Sequence, residues 1–141
     1  MNIKKYIIKI CKDAASSSQE SALYNTSQKN NLLKEISNNI NSDRKNIIKA
    51  NSLDIKNFNI KNSSNPMMDR LMLNDVRISA MCDGINKVIK IPDHLYKIVG
   101  CKKQPSGITV CQMRVPLGVI GMIYESRPNV TADAAALCLK S

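Results

Sequence analysis

The residues with the most chemical capacity lie close together near the end of the chain, in Tyr124-Glu125-Ser126-Arg127-Pro128-Asn129. A phenol, a carboxylate, a guanidinium and a carboxamide follow one another there. They come directly after Gly118 to Ile123, in which Val119, Ile120, Met122 and Ile123 are apolar. A near-continuous apolar run with β-branched residues is expected as a strand covered on both faces, as in a parallel sheet. Pro116 suits the strand entrance because it cannot donate to a ladder, and Pro128 drives Arg127 away from helical conformation. Thr131 is expected to cap a helix over 132–140, with Asp133 in its first turn and Lys140 in its last. Strand, loop and helix in this order make the first half of a βαβ crossover. Ligands of such sheets sit beyond the carboxyl ends of the strands, which places Tyr124 to Asn129 at the candidate site. The spacing of Gly118 and Gly121 is not a GxGxxG fingerprint, so both are expected as packing glycines rather than a phosphate cradle.

Other groups that could do chemistry are scattered. Cys11, Cys82, Cys101, Cys111 and Cys138 are widely spaced, with no CxxC pattern and a single histidine, His94, in the chain. That arrangement does not suit zinc, and the odd count without a secretory leader is expected to mean reduced thiols. Cys138 is expected to pack within the last helix, and His94 to sit at the surface.

Composition excludes several classes. The chain has 141 residues, 43% of them hydrophobic, 4% aromatic, with no Trp and a net charge of +10. The basic residues are spread along the sequence and are not interleaved with aromatics, so a stacking platform for single-stranded nucleic acid is not expected. No apolar run approaches the roughly 20 residues that span a bilayer. In the opening "MNIKKYIIKICK", Lys9 and Lys12 interrupt the apolar stretch, which reads as an amphipathic helix with Ile3, Ile7, Ile10 and Ala14 on one stripe.

The elements that must position the site are mainly helical up to about Ile91. A first helix is expected from about Asn2 to Ser18. A second, capped by Thr26 or Ser27, carries the stripe Leu32, Leu33, Ile36 and Ile40. Ser42 or Asp43 caps a third with Ile47, Ile48, Ala50, Leu53 and Ile55. Asn62-Ser63-Ser64-Asn65-Pro66 reads as a loop before a short helical piece around Met67 to Leu71. Asn74 or Asp75 caps the next helix, which carries Ile78, Met81, Cys82, Ile85 and Ile89 and ends before Pro92. Leu95 to Cys101 and Ile108 to Met113 read as two strands around the turn Gln104-Pro105-Ser106-Gly107.

Four segments carry a family resemblance. "KNNLLKEISNNI" (Lys29 to Ile40), "IIKANSLDI" (Ile47 to Ile55), "MMDRLMLNDVRISAMCDGI" (Met67 to Ile85) and "VPLGVIGMIYESRPNVTADAAALCLKS" (Val115 to Ser141) occur in order. Together they resemble the gamma-glutamyl phosphate reductase family of the aldehyde dehydrogenase superfamily. The resemblance covers nearly the whole chain but only the first third of a family member. It implies an α/β fold: N-terminal helices (1–93), an extended strand pair that reaches a neighbouring subunit (95–115), and the first strand-loop-helix (116–141) of an incomplete Rossmann-like dinucleotide-binding domain. The catalytic domain is expected to be absent. The resemblance further implies NADPH-dependent reduction of L-glutamate 5-phosphate to the semialdehyde, in the cytoplasm, by a homo-oligomer that needs neither nucleic acid nor membrane.

The same resemblance assigns roles. The family's nucleophilic Cys lies beyond Ser141, and none of the five cysteines matches it. Asn129 matches the carboxamide that steadies the oxyanion near that thiolate, although no aromatic separates it from Pro128 as in aldehyde dehydrogenases. Its structural alternative is an Asn that turns or caps the loop. Arg127 is expected to clamp the acyl phosphate or the substrate carboxylate, since a guanidinium binds both bidentately; the alternative is an ion pair with Glu125 or with a downstream carboxylate. Ile123, Tyr124 and Glu125 are expected to line the nicotinamide side of an NADP(H) cleft. Asp69 and Arg70 are expected to form an ion pair or a cap. Two other readings stand beside the reductase: an interaction module, and a basic nucleic-acid binder.

Overall fold

The periodicities in the first two-thirds of the chain do become helices. A computed structural model describes residues 2–58 and 65–141. Residues 59–64, which include much of the loop expected at Asn62 to Pro66, lie outside the described residues. The elements in chain order are α1 (Ile3–Ser21), α2 (Thr26–Ser42), α3 (Arg44–Asn57), α4 (Asn65–Leu71), α5 (Asp75–Lys90), β1 (Ile98–Lys103), β2 (Thr109–Met113) and α6 (Asn129–Lys140). They fall into two compact units, 1–26 with 92–120 and Ser141, and 27–91 with 121–140.

The second unit holds the fully buried side chains. Leu33 of α2, Ile85 of α5 and Ala136 of α6 meet in one cluster, with Ile36, Ile40, Val88, Ile89, Ala132 and Leu139 packed around it. The α5 stripe is buried as its spacing predicts, at Ile78, Met81, Cys82 and Ile85. Asn74 caps α5, its side chain accepting from Arg77 N at 2.9 Å. Ile91 turns extended before Pro92 and the helix stops. The α2 and α3 stripes are only partly correct. Leu32 and Leu53 are exposed, and the buried residue of α3 is polar. Asn51 donates from Nδ2 to Leu71 O at 2.8 Å and accepts on Oδ1 from Leu73 N at 2.7 Å. Its carboxamide thereby satisfies the backbone where α4 gives way to the α5 approach, the only way such a group is buried cheaply. Lys140 closes the unit, its Nζ donating to Asn30 Oδ1 at 2.5 Å and Ile89 O at 3.2 Å.

The first unit contains α1 and an antiparallel hairpin. Asn2 caps α1 through Lys5 N at 3.2 Å. The expected stripe does not find a core: Ile3, Ile7 and Ile10 are all exposed. Tyr96, at a positive φ of 59°, donates from its hydroxyl to Ala22 O at 2.9 Å and so ties the end of α1 to the hairpin entrance. β1 and β2 pair with Cys101 opposite Cys111 and Lys103 opposite Thr109. Gly107 closes the turn at φ 89°, a conformation that favours glycine. All eleven strand residues, six in β1 and five in β2, are exposed.

Two expectations fail here. Cys101 and Cys111 are not free thiols: the register sets them face to face and they form a disulfide. Sequence spacing alone did not show this, because pairing across a hairpin depends on register and not on a fixed motif. The apolar run Gly118 to Ile123 is not a buried strand either. It is irregular, and Val119, Ile120, Met122 and Ile123 are exposed. A strand of this kind forms only against parallel neighbours, and among the described residues the one sheet is the hairpin. Gly118 and Gly121 pack against nothing within 4 Å; Gly118 instead serves a positive φ of 84°.

Candidate functional site

The loop before α6 is built on a tight turn. Ser126 adopts φ 40°, and Arg127 N donates back to Glu125 O at 2.5 Å. A non-glycine residue in the left-handed region costs on the order of 1–3 kcal/mol and persists where surrounding structure requires it. The turn delivers Arg127 to the start of α6. The helix begins at Asn129, two residues before the expected cap, and Val130 N donates to Arg127 O at 3.2 Å. Thr131 is therefore helical. Its hydroxyl is shared with the Tyr124 phenol at 2.5 Å, so Tyr124 braces the loop against the helix.

Arg127 and Asn129 come together in one cleft of about 370 Å³, lined also by Asp69, Arg70, Arg77, Met72, Met81 and Asp133. That volume suits a small metabolite. Asn129 Nδ2 donates to Asp133 Oδ2 at 2.9 Å, one helical turn on. A carboxamide carries two N–H donors, so this bond orients the group and leaves the second donor for a ligand. Arg127 makes no ion pair with Glu125; among the described residues its guanidinium has no carboxylate partner.

Of the ion pair or cap expected at Asp69 and Arg70, Asp69 makes an intrachain ion pair. Asp69 pairs with Arg77, whose Nη2 lies 2.6 Å from Oδ1, while Arg77 Nη1 donates to Met72 O at 2.8 Å and to Asp69 O. Arg77 thus pins α4 to the first turn of α5. Arg70 lines the cleft instead. Sequence reading missed Arg70, Arg77 and Asp133 as site residues. The first two lie inside the segment "MMDRLMLNDVRI" that carried part of the family resemblance, which was the available signal.

Ile123, Tyr124 and Glu125 are exposed and do not line this cleft. Ile123 offers a bare apolar side chain and Tyr124 about half of its surface. Among the described residues no group of three or more His, Cys, Asp or Glu could hold a metal ion, and no helix is long and apolar enough to cross a membrane. Cys11 and Cys138 are exposed and Cys82 is buried, so Cys138 does not pack as expected, and no cysteine lines the cleft.

Comparison with known proteins gives relatives along the whole chain. No protein-family model matches the chain. The chain is 45% identical over 140 residues to a gamma-glutamyl phosphate reductase of Ruthia magnifica, covering 99% of itself and 33% of that relative. It is 47% identical over 135 residues to the reductase of Dictyoglomus turgidum, covering 96% of itself and 32% of the relative. Its fold matches the crystal structure of the Thermotoga maritima gamma-glutamyl phosphate reductase with a TM-score of 0.87 at 32% identity, over 94% of this chain and 32% of that one. The Saccharomyces cerevisiae reductase gives a TM-score of 0.86 at 26% identity, over 94% and 34%. The helices and small antiparallel sheet match the corresponding part of these two structures. The chain belongs with the gamma-glutamyl phosphate reductases and spans about a third of the length of the relatives it matches.

Proposed function

We propose that this chain supplies the substrate-orienting part of an NADPH-dependent gamma-glutamyl phosphate reductase, which converts L-glutamate 5-phosphate to L-glutamate 5-semialdehyde with release of phosphate, in cytoplasmic proline biosynthesis. The observation that carries the reading is the meeting of Arg127 and Asn129 in one cleft, in a chain similar along its whole length to reductases.

The roles follow from chemistry. Arg127 binds the anionic end of the substrate with a planar, permanently charged donor fork. Asn129, held by Asp133, directs a neutral N–H at the carbonyl oxygen that becomes an oxyanion when a thiolate attacks. A neutral donor does this without being titrated. In this reading the thiolate comes from outside residues 1–141, in keeping with a cleft that no cysteine lines. NADPH supplies the hydride when bound, and Ile123, Tyr124 and Glu125 would meet its nicotinamide side. The loop 114–124 completes a Rossmann-like sheet of aldehyde dehydrogenase type only when parallel strands flank it. The hairpin, exposed at every strand residue, supports homo-oligomer formation in the complete enzyme and also the second reading, an interaction module.

The test is a substitution in a protein that carries this chain together with the nucleophile. Asn129→Ala is expected to lower turnover by about 10²–10³-fold with a smaller change in KM, as loss of one oxyanion donor does. Unchanged turnover, read as phosphate-dependent reduction of NADP+ by the semialdehyde, would remove Asn129 from catalysis.

A further inference from the structure

The cleft holds three arginines, and the structure sets them apart. Arg77 is committed: its guanidinium serves the Asp69 carboxylate and the Met72 carbonyl. Asp69 is thereby answered, and Asp133 is occupied by the Asn129 amide. Arg70 and Arg127 line the same cleft, and among the described residues neither guanidinium has a carboxylate partner. The remaining wall is apolar, from Met72, Leu73, Ala80 and Met81. Two uncommitted, permanently charged forks that line one cleft of about 370 Å³ can meet an anion of small-molecule size.

We propose that Arg70 is a second anion-binding residue of this cleft, acting with Arg127 on a substrate that carries a negative group at each end. The inference rests on the proposed function for the choice of Arg127 as partner, and it adds what that reading leaves open, how a dianion is held at both ends. A substrate bearing one carboxylate and one phosphoryl group needs two such forks. Arg70 comes from α4 and Arg127 from the turn before α6, so the two approach the ligand from different elements. Arg77 is then a positioning residue that holds α4, and with it Arg70, against α5.

The experiment titrates the 141-residue chain with inorganic phosphate at low ionic strength, following arginine side-chain N–H resonances and the heat of binding. Saturable binding is expected, with shifts at Arg70 and Arg127. Arg70→Gln and Arg127→Gln should each weaken phosphate by about fivefold or more, whereas Arg44→Gln, on α3 and outside the cleft, should leave it unchanged. Arg70→Lys, which keeps the charge and loses the fork, should fall between wild type and Arg70→Gln. Arg70 is exposed, so its replacement is not expected to unfold the chain. Full affinity in Arg70→Gln with loss in Arg127→Gln would overturn the role of Arg70 and leave that of Arg127 standing. Equal loss in all three Gln variants, or no saturable binding, would overturn the site. The reductase reading is tested separately by turnover, so either can fail without the other.

Discussion

At the scale of single residues, two carboxamides illustrate how a polar side chain is made specific by its neighbours. Asn129 has one donor spent on Asp133 and one to offer a ligand. Asn51 has both ends spent on backbone, at Leu71 O and Leu73 N, and is buried. Asn51→Ala leaves a buried N–H and C=O unsatisfied and is expected to destabilise the chain by about 1–3 kcal/mol, read from the midpoint of urea unfolding. A shift of less than about 0.3 kcal/mol would mean that water replaces the carboxamide. Sequence reading reached Asn129 and Arg127 because they stand in a motif. It could not reach Asn51, whose partners lie twenty or more positions away and become neighbours only when α3 and α4 pack. The same holds for Arg77: a guanidinium in sequence is a solvated charge until Asp69 and Met72 O are set around it.

At the scale of elements, α5 was readable almost completely, since its cap, apolar stripe and terminating proline are all local signals. The two hairpin strands were also readable, from the turn signal Gln104-Pro105-Ser106-Gly107 between them. The disulfide across them was not, because it depends on register. Alkylation of the denatured chain without reductant is expected to label the three free cysteines, Cys11, Cys82 and Cys138, and with reductant all five. Labelling of five without reductant would show that Cys101 and Cys111 are thiols. Where the bond is present it closes a loop with a sequence separation of 10 and stabilises the hairpin by about 2–3 kcal/mol in the chain-entropy view. The run Gly118 to Ile123 shows the opposite limit. Its composition is that of a doubly covered strand, but strand formation is a property of a sheet. The exposed conformation of Ile123 and its neighbours is what such a sequence adopts without parallel partners.

At the scale of the whole molecule, the buried cluster around Leu33, Ile85 and Ala136 is small, and much apolar surface stays in contact with water. The exposed residues include Ile3, Ile7 and Ile10 on α1, Ile98, Val99 and Val110 on the hairpin, and Val119, Met122 and Ile123 beyond it. Surface of this kind calls for a partner. The chain is expected to bind the dye ANS strongly and to elute in size exclusion as species larger than its 15.7 kDa monomer. A compact monomer that does not bind the dye would mean these faces are closed by the chain itself. The distribution of function is the larger point. In the proposed function the orienting groups lie within residues 1–141 and the nucleophile outside them, so the chain should bind anions and yet not turn over. The most direct measurement is phosphate-dependent reduction of NADP+ by L-glutamate 5-semialdehyde, assayed with the purified 141-residue chain alone. The expected result is no turnover above the enzyme-free rate. Turnover that rises with chain concentration and saturates in both substrates would contradict it, because the catalytic machinery would then lie within these residues.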